Sequence, residues 1–575
     1  MGKMHLVMAS ASQIQSYIFA SNRLREHVGA SYLVAQATGE WALRAVQAAA
    51  QVNNLVGDAS RLAIADGEFA IENHAAENAA EVIYSGGGNV EVLFTQAETA
   101  KKFVRQLSER LLCEAPGLRV AFGIAEFEWA ADLISVAEKH ARDALDADKR
   151  ARVGAGGALL GLGVTAACTA TGLPASAWDE GKPISAESAA RLAAFNNADR
   201  VLRRTFEREL GDFRFPYDLD KLGRSLGEDS HIAVLHADGN GFGVLRQKML
   251  AGFTGNRDYV QRARNFSNAV RDIARDALAH TLQALCARVT SDGKSGARGI
   301  THLVEGRTIG IELKPAGGGS DYLPVRPIIY GGDDLTLVCD GRIALSLAEE
   351  YLLHFEAESA SSLRKYGLAE PAQLTACAGV AIVRAHFPFV RAYELSEELC
   401  GEAKKRRAEV KKHIGANEPG SYLDWHIAMS GLIGDLDDIR ARDYVIPKEG
   451  SMAEGSMTLR PVAVSGESGA RTWKTVEAGT RAFQKEWAGK RNKVKALREA
   501  LRRGPKEVER FSRNYVTAGG KSIEVLPKLP GVDARATGWV GEIDRRCAYA
   551  DAVELMDMYI PITISKFVTE AEERA

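Results

Sequence analysis

The run Val325-Arg-Pro-Ile-Ile-Tyr-Gly-Gly-Asp-Asp-Leu-Thr-Leu-Val338 is the stretch around which the chain is organised. Two apolar, β-favouring segments flank a glycine pair and two acids, Asp333 and Asp334, which predicts a β-hairpin with carboxylates at its turn. Adjacent carboxylates at a tight turn repel one another unless a cation lies between them. Taken alone, Gly-Gly-Asp-Asp is equally typical of an ordinary surface hairpin.

An earlier stretch, Ile232-Ala-Val-Leu-His-Ala-Asp-Gly-Asn-Gly-Phe-Gly243, predicts a strand that ends in Asp238 and leads into a glycine-rich turn. Its glycines do not have the spacing of a dinucleotide-binding fingerprint or a P-loop. A strand with a terminal acid, followed later in the chain by a hairpin with two acids, is a much rarer combination than either part. The ordered pair indicates a divalent-metal site that handles nucleotide phosphates.

The composition excludes several classes of protein. At 575 residues the chain is too long for one ordinary core, so about two to four domains are expected. With 73 Lys and Arg against 75 Asp and Glu, there is no global polyanion-binding signature, and any nucleic-acid contact must come from a local patch. Residues 1–9 contain too short an apolar run for a signal peptide, and no run is long enough to span a bilayer.

The seven cysteines are scattered without paired spacing. This pattern predicts reduced thiols in a cytoplasm and argues against a disulfide framework or a zinc site. We therefore expect a soluble cytoplasmic protein with no membrane partner.

Two segments of the chain, 1–153 and 231–420, share one order of predicted elements: strand, helices, hairpin, helix, strand, helix. Tyr84-Ser-Gly-Gly-Gly-Asn89 corresponds to Tyr330-Gly-Gly-Asp-Asp334 at the two hairpin turns. The period exceeds that of solenoid repeats and predicts two domains of one α/β fold, packed as a pseudo-symmetric dimer within the chain.

The two copies differ in their acids. The first has Ser10 where the second has Asp238, and Gly88-Asn89 where the second has Asp333-Asp334. The first copy therefore lacks carboxylates with which to hold a cation. We expect the second copy to be catalytic and the first to be a scaffold or partner surface.

The rest of the chain is predicted to be mostly helical, with a connector over 154–230 and a C-terminal domain over 421–575. Surface loops are predicted at 293–299 and 315–320, and poorly ordered loops at 448–455 and 465–469. A basic stretch in the C-terminal domain fits contact with RNA phosphates or, as an alternative, a solvated helix face; it comprises Lys490-Arg-Asn-Lys-Val-Lys495, Arg498, Arg502 and Arg503.

The second copy resembles the second palm domain of the large subunit of type III CRISPR effector complexes. The resemblance rests on Asp238 after a strand, on Tyr330-Gly-Gly-Asp-Asp334, and on Ala378-Gly-Val-Ala-Ile-Val383 with Pro388 and Glu402-Ala-Lys-Lys405. The first copy is similar to that family's first palm domain through Ile14-Gln-Ser-Tyr-Ile-Phe19, Leu24-Arg-Glu26 and Gly29-Ala-Ser31. Together these stretches cover roughly residues 4–415.

The resemblance implies an α+β fold: two ferredoxin-like palm domains, the first degenerate, with a helical connector and a helical C-terminal domain. It also implies synthesis of cyclic oligoadenylates from ATP. Members often carry an HD nuclease domain before the first palm, whereas this sequence starts at the palm strand, so a stand-alone member without that domain is expected. Members also often carry a cysteine zinc motif between the palms; Cys168 is the single cysteine there, so no zinc site is expected.

Enzymes that join nucleotides use two Mg²⁺ or Mn²⁺ ions about 4 Å apart, which are held by carboxylates from neighbouring strands. Asp238 and Asp334 are the first choices as catalytic metal ligands, with Asp333 either a third ligand or a contact to the attacking hydroxyl. Backbone amides at the start of a helix favour anions, and glycine allows close approach. The residues expected to bind the nucleotide are Gly239, Asn240, Gly241, Phe242, Gly331, Gly332 and, at the β- and γ-phosphates, Lys404.

His236 lies two residues before Asp238 and therefore shares its face of the strand. It is interpreted as a packed core histidine, with a role in lining the site as the alternative.

The expected function is a metal-dependent nucleotidyltransferase, or nucleotide cyclase, that joins NTPs, with ATP favoured, into a cyclic oligonucleotide second messenger for antiviral defence. One alternative is an RNA-associated scaffold subunit of a CRISPR-type ribonucleoprotein whose palms bind nucleotide without turnover. Another is a diguanylate-type or mononucleotide cyclase. Expected partners are NTPs, and further candidates are RNA, effector subunits and a second copy of the chain.

Overall fold

A computed structural model describes most of the chain. The described residues are 2–58, 61–65, 69–153, 163–222, 224–225, 231–250, 252–291, 296–304, 307–368, 371, 373–413, 419–428, 434–446, 455–487, 489–516, 526–535, 537–541 and 544–563. Within these ranges, none of the helices has both the length and the apolar character required to cross a membrane.

The first part of the chain forms a sheet in the order β2-β5-β6-β1-β7, with helices packed on it. Strands β5, β6, β1 and β7 are antiparallel neighbours, which is the ferredoxin-like arrangement of a βαββαβ unit. Its elements are β1 (Lys3–Ser12), α1 (Ile14–Ile18), α2 (Leu24–Thr38), α3 (Glu40–Ala49), β2 (Val52–Asn53), β3 (Leu55–Gly57), β4 (Leu62–Ile64), β5 (Ala79–Gly86), β6 (Asn89–Phe94), α4 (Ala97–Glu114), β7 (Arg119–Glu128) and α5 (Ile134–Val153).

The connector combines one small hairpin with one long helix. Helix α6 begins at a Ser185 cap, whose hydroxyl accepts from the Ser188 N–H, and it packs along α2 of the first palm. The elements of this part are β8 (Ala175–Asp179), β9 (Lys182–Ser185), α6 (Ala186–Thr205), α7 (Glu207–Leu210) and β10 (Arg224–Ser225).

The second palm repeats the strand order of the first, β17-β18-β11-β19, and its sheet continues through β20 and β23. The stretch 315–320, predicted as a loop, lies within a small hairpin formed by β15 and β16, because three consecutive glycines with positive φ, Gly317 to Gly319, allow a tight turn there. The elements are β11 (His231–Gly239), α8 (Phe242–Leu250), α9 (Asn256–Ala287), β12 (Thr290–Ser291), β13 (Arg298–Val304), β14 (Arg307–Glu312), β15 (Lys314–Gly317), β16 (Ser320–Tyr322), β17 (Val325–Gly331), β18 (Asp334–Asp340), α10 (Ala344–Lys365), β19 (Ala376–Arg384) and α11 (Phe389–Lys411).

The last part of the chain is helical with short strands. Strand β20 pairs in parallel with β19 and thereby extends the palm sheet, whereas β21, β22, β25 and β24 form a separate sheet. Its elements are β20 (Tyr422–Ile427), α12 (Leu436–Asp443), β21 (Val445–Ile446), β22 (Gly455–Ser456), β23 (Val462–Ala463), α13 (Trp473–Glu486), α14 (Arg491–Arg503), α15 (Pro505–Val516), β24 (Trp539–Val540), β25 (Arg545–Cys547) and α16 (Ala550–Leu555).

The other three loop predictions have mixed outcomes. The one at 465–469 has neither helix nor strand, and the one at 448–455 lies outside the described residues apart from its last position. Of 293–299, only the last four residues are described, and β13 begins at Arg298. The boundaries placed at 153, 230 and 420 stay predictions.

The internal repeat is present residue by residue in the strand pairing. In the first palm Ser10 pairs with Asn89 across β1 and β6, and in the second Asp238 pairs with Asp334 across β11 and β18. The turn after the first strand also corresponds, because Gln13 and Gly241 both adopt left-handed φ angles, 54° and 69°. The first palm thus retains the backbone of the site without its acids.

Each palm ends in a helix that lies very close to its last strand at a glycine. A Cβ atom on Gly123 would lie 1.9 Å from the Ala141 carbonyl oxygen, and one on Gly379 would lie 2.0 Å from that of Ser396. Such distances are far inside van der Waals contact, so only glycine fits at these two positions.

The two palms also cap one another. The first N–H of α5, at Ile134, donates to the Asn256 side chain of the second palm (2.9 Å), and the first N–H of α11, at Phe389, donates to Asn22 of the first (3.0 Å). A pair of reciprocal contacts is what a two-fold interface produces. Buried residues of both sheets, among them Val7 and Val92 in the first and Val234 and Val338 in the second, share one apolar core.

Gly379→Ala is expected to lower the stability of the second palm by about 3 kcal/mol, because the methyl group would push α11 off the sheet. The thermal denaturation midpoint should fall by about 5 °C or more. Gly401→Ala in the same helix is the matched control: its Cβ would meet no described atom within 4 Å, so it should raise stability by about 0.5–1 kcal/mol. Equal midpoints for the two variants would contradict this packing.

Candidate active site

The pairing of β11 with β18 brings two predicted metal ligands together. Asp238 lies directly opposite Asp334, and the N–H of Gly239 donates to the carbonyl oxygen of Asp333 at 3.1 Å. The turn between β17 and β18 contains Gly331 and Gly332, with φ angles of 149° and 66°. These positive angles require glycine, so the glycine pair is what allows the acids to sit at the end of the hairpin.

The acids repel one another in the folded protein. Burial, with the charges of Asp238 and Asp333, raises the pKa of Asp334 to about 7. Burial and the charge of Asp238 also raise the pKa of Asp333. Desolvated carboxylates with elevated pKa values favour a cation beside them.

Lys404 on α11 supplies a cation at this place. Its Nζ donates to Asp238 Oδ2 and, at 3.3 Å, to the carbonyl oxygen of Gly239. Burial lowers the pKa of Lys404, but the hydrogen bond to Asp238 and the charge of that acid outweigh this effect, and the pKa is raised overall. The first palm has a lysine at the equivalent position. Lys149 lies eight residues after Ala141, whose carbonyl oxygen faces Gly123, just as Lys404 lies eight residues after Ser396, whose carbonyl oxygen faces Gly379.

The donor set fits a divalent cation. His236, Asp238 and Asp334 each offer a ligand atom, and these atoms lie within 4.8 Å of one another; no other group of this kind occurs among the described residues. Asp333 is not part of this group, whereas His236, interpreted above as a core residue, is. The ammonium of Lys404 forms an ion pair with Asp238 and neutralises part of the charge of the acids. Carboxylate oxygens are the ligands that Mg²⁺ prefers.

His236 is buried, and its Nδ1 lies 3.2 Å from the hydroxyl of Thr336. Burial lowers its pKa to about 4, so the ring is neutral at pH 7. A neutral imidazole can act as a ligand.

The glycine turn after Asp238 uses some of its amides internally. The N–H of Gly239 bonds Asp333, and that of Asn240 donates to the carbonyl oxygen of Thr375 at 2.9 Å. The Asn240 side chain also bonds the Thr375 hydroxyl at 2.9 Å. Of the predicted phosphate contacts, those two amides are therefore engaged within the protein, and the start of α8 lies at Phe242.

Two further residues near the acids were not predicted from the sequence. Glu397 and Tyr393 lie seven and eleven residues before Lys404 on α11, a spacing that places all three on one helix face and was the signal present in the sequence. Burial and the charge of Asp238 raise the pKa of Glu397. The ring of Tyr393 lies 5.7 Å from that of His236 and stacks at 4.2 Å on Phe19 of the first palm.

Asp334→Asn is expected to stabilise the metal-free protein at pH 8 by about 1–2 kcal/mol and to have less effect at pH 5. The folded pKa of Asp334, about 7, lies above the unfolded value near 4. The stability linked to this group is therefore fully present below about pH 4 and is lost as the pH rises towards 7. The amide in the Asp334→Asn variant does not ionise, so the variant does not lose this stability as the pH rises. Thermal denaturation in EDTA at both pH values measures the difference.

Addition of MgCl₂ or MnCl₂ at pH 8 should raise the denaturation midpoint of the unmutated protein and leave that of Asp334→Asn nearly unchanged. Asp276→Asn is the matched control, because Asp276 is paired with Arg275 at 2.8 Å on α9. This variant should not be more stable than the unmutated protein at pH 8. If all three proteins respond alike to metal, Asp334 is not a ligand.

Comparison with known proteins gives a family for this part of the chain. Residues 231–413 match the sequence model of the family described as Cas10/Cmr2, second palm domain. No curated protein matches the chain.

Three similar solved structures are chains of a Csm1-Csm4 cassette. The one in complex with pppApApA is 13% identical with a TM-score of 0.49 over 98% of this chain and 70% of that chain. The one in complex with AMPPNP is 14% identical with a TM-score of 0.46 over 97% of this chain and 69% of that chain. The one in complex with cA4 is 12% identical with a TM-score of 0.38 over 70% of this chain and 53% of that chain.

The chain thus spans between about half and seven tenths of the length of these proteins. Similarity at this level carries no statement about activity. The matched segment, in contrast, contains Asp238, the Gly-Gly-Asp-Asp hairpin and Lys404. This match confirms the resemblance found in the sequence, and residues 231–413 are a second palm domain of the Cas10/Cmr2 family.

Proposed function

We propose that the chain is a metal-dependent nucleotidyltransferase that joins NTPs, with ATP favoured, into a cyclic oligonucleotide. The observation that carries the proposal is the direct opposition of Asp238 and Asp334 on adjacent strands of a Cas10/Cmr2 palm domain. The pKa values of Asp333 and Asp334 are raised by burial and by the neighbouring acids. A protein with only a scaffold role has no need to hold such acids together, whereas an active site does.

The reaction needs a nucleophilic 3′-hydroxyl, an α-phosphate with reduced charge and a stabilised pyrophosphate leaving group. Asp238 and Asp334, with Asp333 beside them, would hold divalent cations, Mg²⁺ or Mn²⁺, which supply Lewis-acid stabilisation of phosphate charge when bound. Asp333 alternatively accepts a hydrogen bond from the attacking hydroxyl. His236 supports the two acids from the interior, since it is buried and its ring is fixed by Thr336.

Lys404 keeps its proton at neutral pH, because its pKa is raised above the ordinary lysine value. A permanently charged ammonium beside the acids can neutralise the terminal phosphates of a bound NTP. Its flexible stem allows the amine to leave Asp238 for a phosphate oxygen.

The phosphates would approach the start of α8. A Cβ atom added at Gly241 or Gly243 would meet no described atom within 4 Å, and the same holds for Gly331 and Gly332 of the hairpin. Bare backbone on two sides of the acids permits close approach of the triphosphate. The amides of Gly241, Phe242 and Gly243 at the positive end of α8 supply donors.

The family resemblance supplies the finer parts of the proposal: adenine as the base, a ring of several nucleotides as the product and an antiviral messenger as its role. It also suggests effector subunits as partners. We expect no metal centre at the corresponding place in the first palm, where Ser10 and Asn89 occupy the positions of the two acids.

Purified protein incubated with each NTP and with mixtures, in Mg²⁺ or Mn²⁺, should form a cyclic product detectable by mass spectrometry. The double variant Asp333→Ala, Asp334→Ala should lose at least about 100-fold in rate, because the developing charge is no longer stabilised. Lys404→Ala should lose about 10-fold or more, since one cation beside the phosphates is removed. Asn89→Ala, at the equivalent position of the first palm, is the matched control and should stay within about twofold of the unmutated rate.

Three other outcomes would point elsewhere. A product from GTP alone would favour the diguanylate-type alternative, and a cyclic mononucleotide would favour the mononucleotide cyclase. Tight nucleotide binding without any product, equal in the unmutated and double-variant proteins, would favour the scaffold subunit.

A further inference from the structure

Helix α8 follows the glycine turn after Asp238, and its start is weakly packed. Of its nine residues, only Leu250 at the far end is buried. Gly243 and Val244 in the first turn are exposed, and the ring of Phe242 is only partly buried against the core. Apolar burial therefore does little to fix the start of the helix, which is the part closest to Asp238 in the chain.

Arg246, one turn after Phe242, links this helix to the first palm. Its Nη1 donates to Glu138 Oε1 at 2.6 Å, and its Nη2 donates to Glu91 Oε2 at 3.2 Å. The guanidinium also lies over the ring of Tyr84, 5.7 Å from the ring centroid. No other side chain of α8 makes a hydrogen bond or an ion pair with a described residue. The polar anchor of α8 is thus one arginine that crosses between the palms.

The two glutamates that bind Arg246 lie in the interior of the first palm. Glu91 on β6 is 1% exposed, and Glu138 on α5 is 7% exposed. Burial raises the pKa of Glu91, and the charge of Arg246 acts in the opposite direction. Burial lowers the pKa of Arg246, but the charges of the two acids outweigh this effect, and the pKa is raised overall. Loss of Arg246 would therefore leave Glu91 buried without its ion-pair partner.

The contact has a counterpart in the other half of the pseudo-symmetric pair. Glu138 on α5 and Tyr393 on α11 occupy equivalent positions, three residues before the carbonyl oxygen that faces the glycine of the last strand. Tyr393 stacks on Phe19, which follows α1 of the first palm, whereas Glu138 binds Arg246 on α8 of the second. Each palm thus receives, at the same helix position, a side chain from the segment that follows the first strand of the other palm. Such equivalence is typical of a two-fold interface.

The glycine turn makes an external anchor for α8 important. Gly239, Gly241 and Gly243 separate Asp238 from the body of the helix. Glycine has the greatest backbone freedom of any residue, so the strand by itself fixes the orientation of α8 poorly. The amides at the start of the helix have a defined position only while another part of the protein holds α8.

We propose that Arg246 is a positioning residue for the triphosphate of the bound nucleotide, a role that rests on the proposed function. By binding Glu91 and Glu138 it holds α8, and with it the amides of Gly241 to Gly243 that would meet the phosphates. A displacement of such donors by about 1 Å is enough to weaken their contacts about 10-fold or more. Because buried carboxylates hold the guanidinium on two sides, Arg246 acts through α8 and not by contact with the phosphates.

Isothermal titration calorimetry with α,β-methylene-ATP and with AMP, both in MgCl₂, tests the proposal without turnover. The unmutated protein should bind the triphosphate more tightly than AMP. Arg246→Met should weaken binding of α,β-methylene-ATP about 10-fold or more and change the affinity for AMP by less than about twofold. The difference is expected because AMP lacks the β- and γ-phosphates, which depend on the position of α8.

Arg142→Met is the matched control, because Arg142 pairs with the same Glu138 but lies on α5 of the first palm. It removes an equal charge from the same cluster and should leave both affinities within about twofold of the unmutated values. Circular dichroism and thermal denaturation check that each variant is folded.

Glu91→Gln separates positioning from direct contact while it keeps the arginine. The amide binds Arg246 less strongly than the carboxylate does, so α,β-methylene-ATP should bind about threefold or more weakly. If Arg246 contacted a phosphate itself, release from Glu91 would leave the affinity unchanged or raise it. Because Glu91→Gln preserves the shape of the buried side chain, it tests the proposal even if Arg246→Met does not fold.

Three results would each overturn the proposal. They are equal losses of affinity for α,β-methylene-ATP and AMP in Arg246→Met, unchanged or tighter binding of α,β-methylene-ATP in Glu91→Gln, and no preference of the unmutated protein for the triphosphate over AMP. The predicted affinities in a protein that forms no product from any NTP would instead contradict the proposed function and support the positioning role of Arg246.

Discussion

The structure depends on an unfavourable pairing, that of Asp238 with Asp334 across β11 and β18. Like charges directly opposite one another destabilise an antiparallel pair, yet both strands are buried on both faces, and the two faces contribute to different cores. A slip of one residue would turn Ile232 and Val234 away from the shared core. Apolar burial along the strands therefore holds two acids opposite one another, and a cation bound between them would relieve their repulsion.

The first palm stabilises this arrangement without sharing its chemistry. It retains the left-handed turn at Gln13, the close helix contact at Gly123 and Lys149 on the helix that follows. It has Ser10 and Asn89 in place of the two acids that repel one another. Since Asn22 and Asn256 cap helices of the opposite palm, each half completes the other. One half thus supplies folding support, and the half with the opposed acids supplies the candidate site.

Much of this was predictable because the periodicity of a buried strand fixes its partners. The hairpin at 325–338, the repeat of the two palms and the correspondence of Ser10 and Asn89 with the acids follow from patterns within the sequence. The α+β fold with two ferredoxin-like sheets is confirmed. The addition of β20 to the second sheet was not predictable, because its partner β19 lies across a long helix in the sequence and parallel pairing leaves no turn signal. The chemical partners of the site residues depend on tertiary packing: Lys404 could be named from its motif, whereas its bond to Asp238 follows from the fit of α11 against Gly379.

The rings of Phe19, Tyr393 and His236 form a continuous series of contacts from the first palm to the strand that carries Asp238. Phe19 follows α1 in the first palm, Tyr393 lies on the helix that carries Lys404, and His236 lies on the strand that carries Asp238. These rings are packed in a shared interior, so a relative rotation of the palms cannot leave Tyr393 in place. Because α11 is one continuous helix, the same displacement would move Lys404 relative to Asp238. The helix that carries Lys404 is therefore packed directly against the first palm.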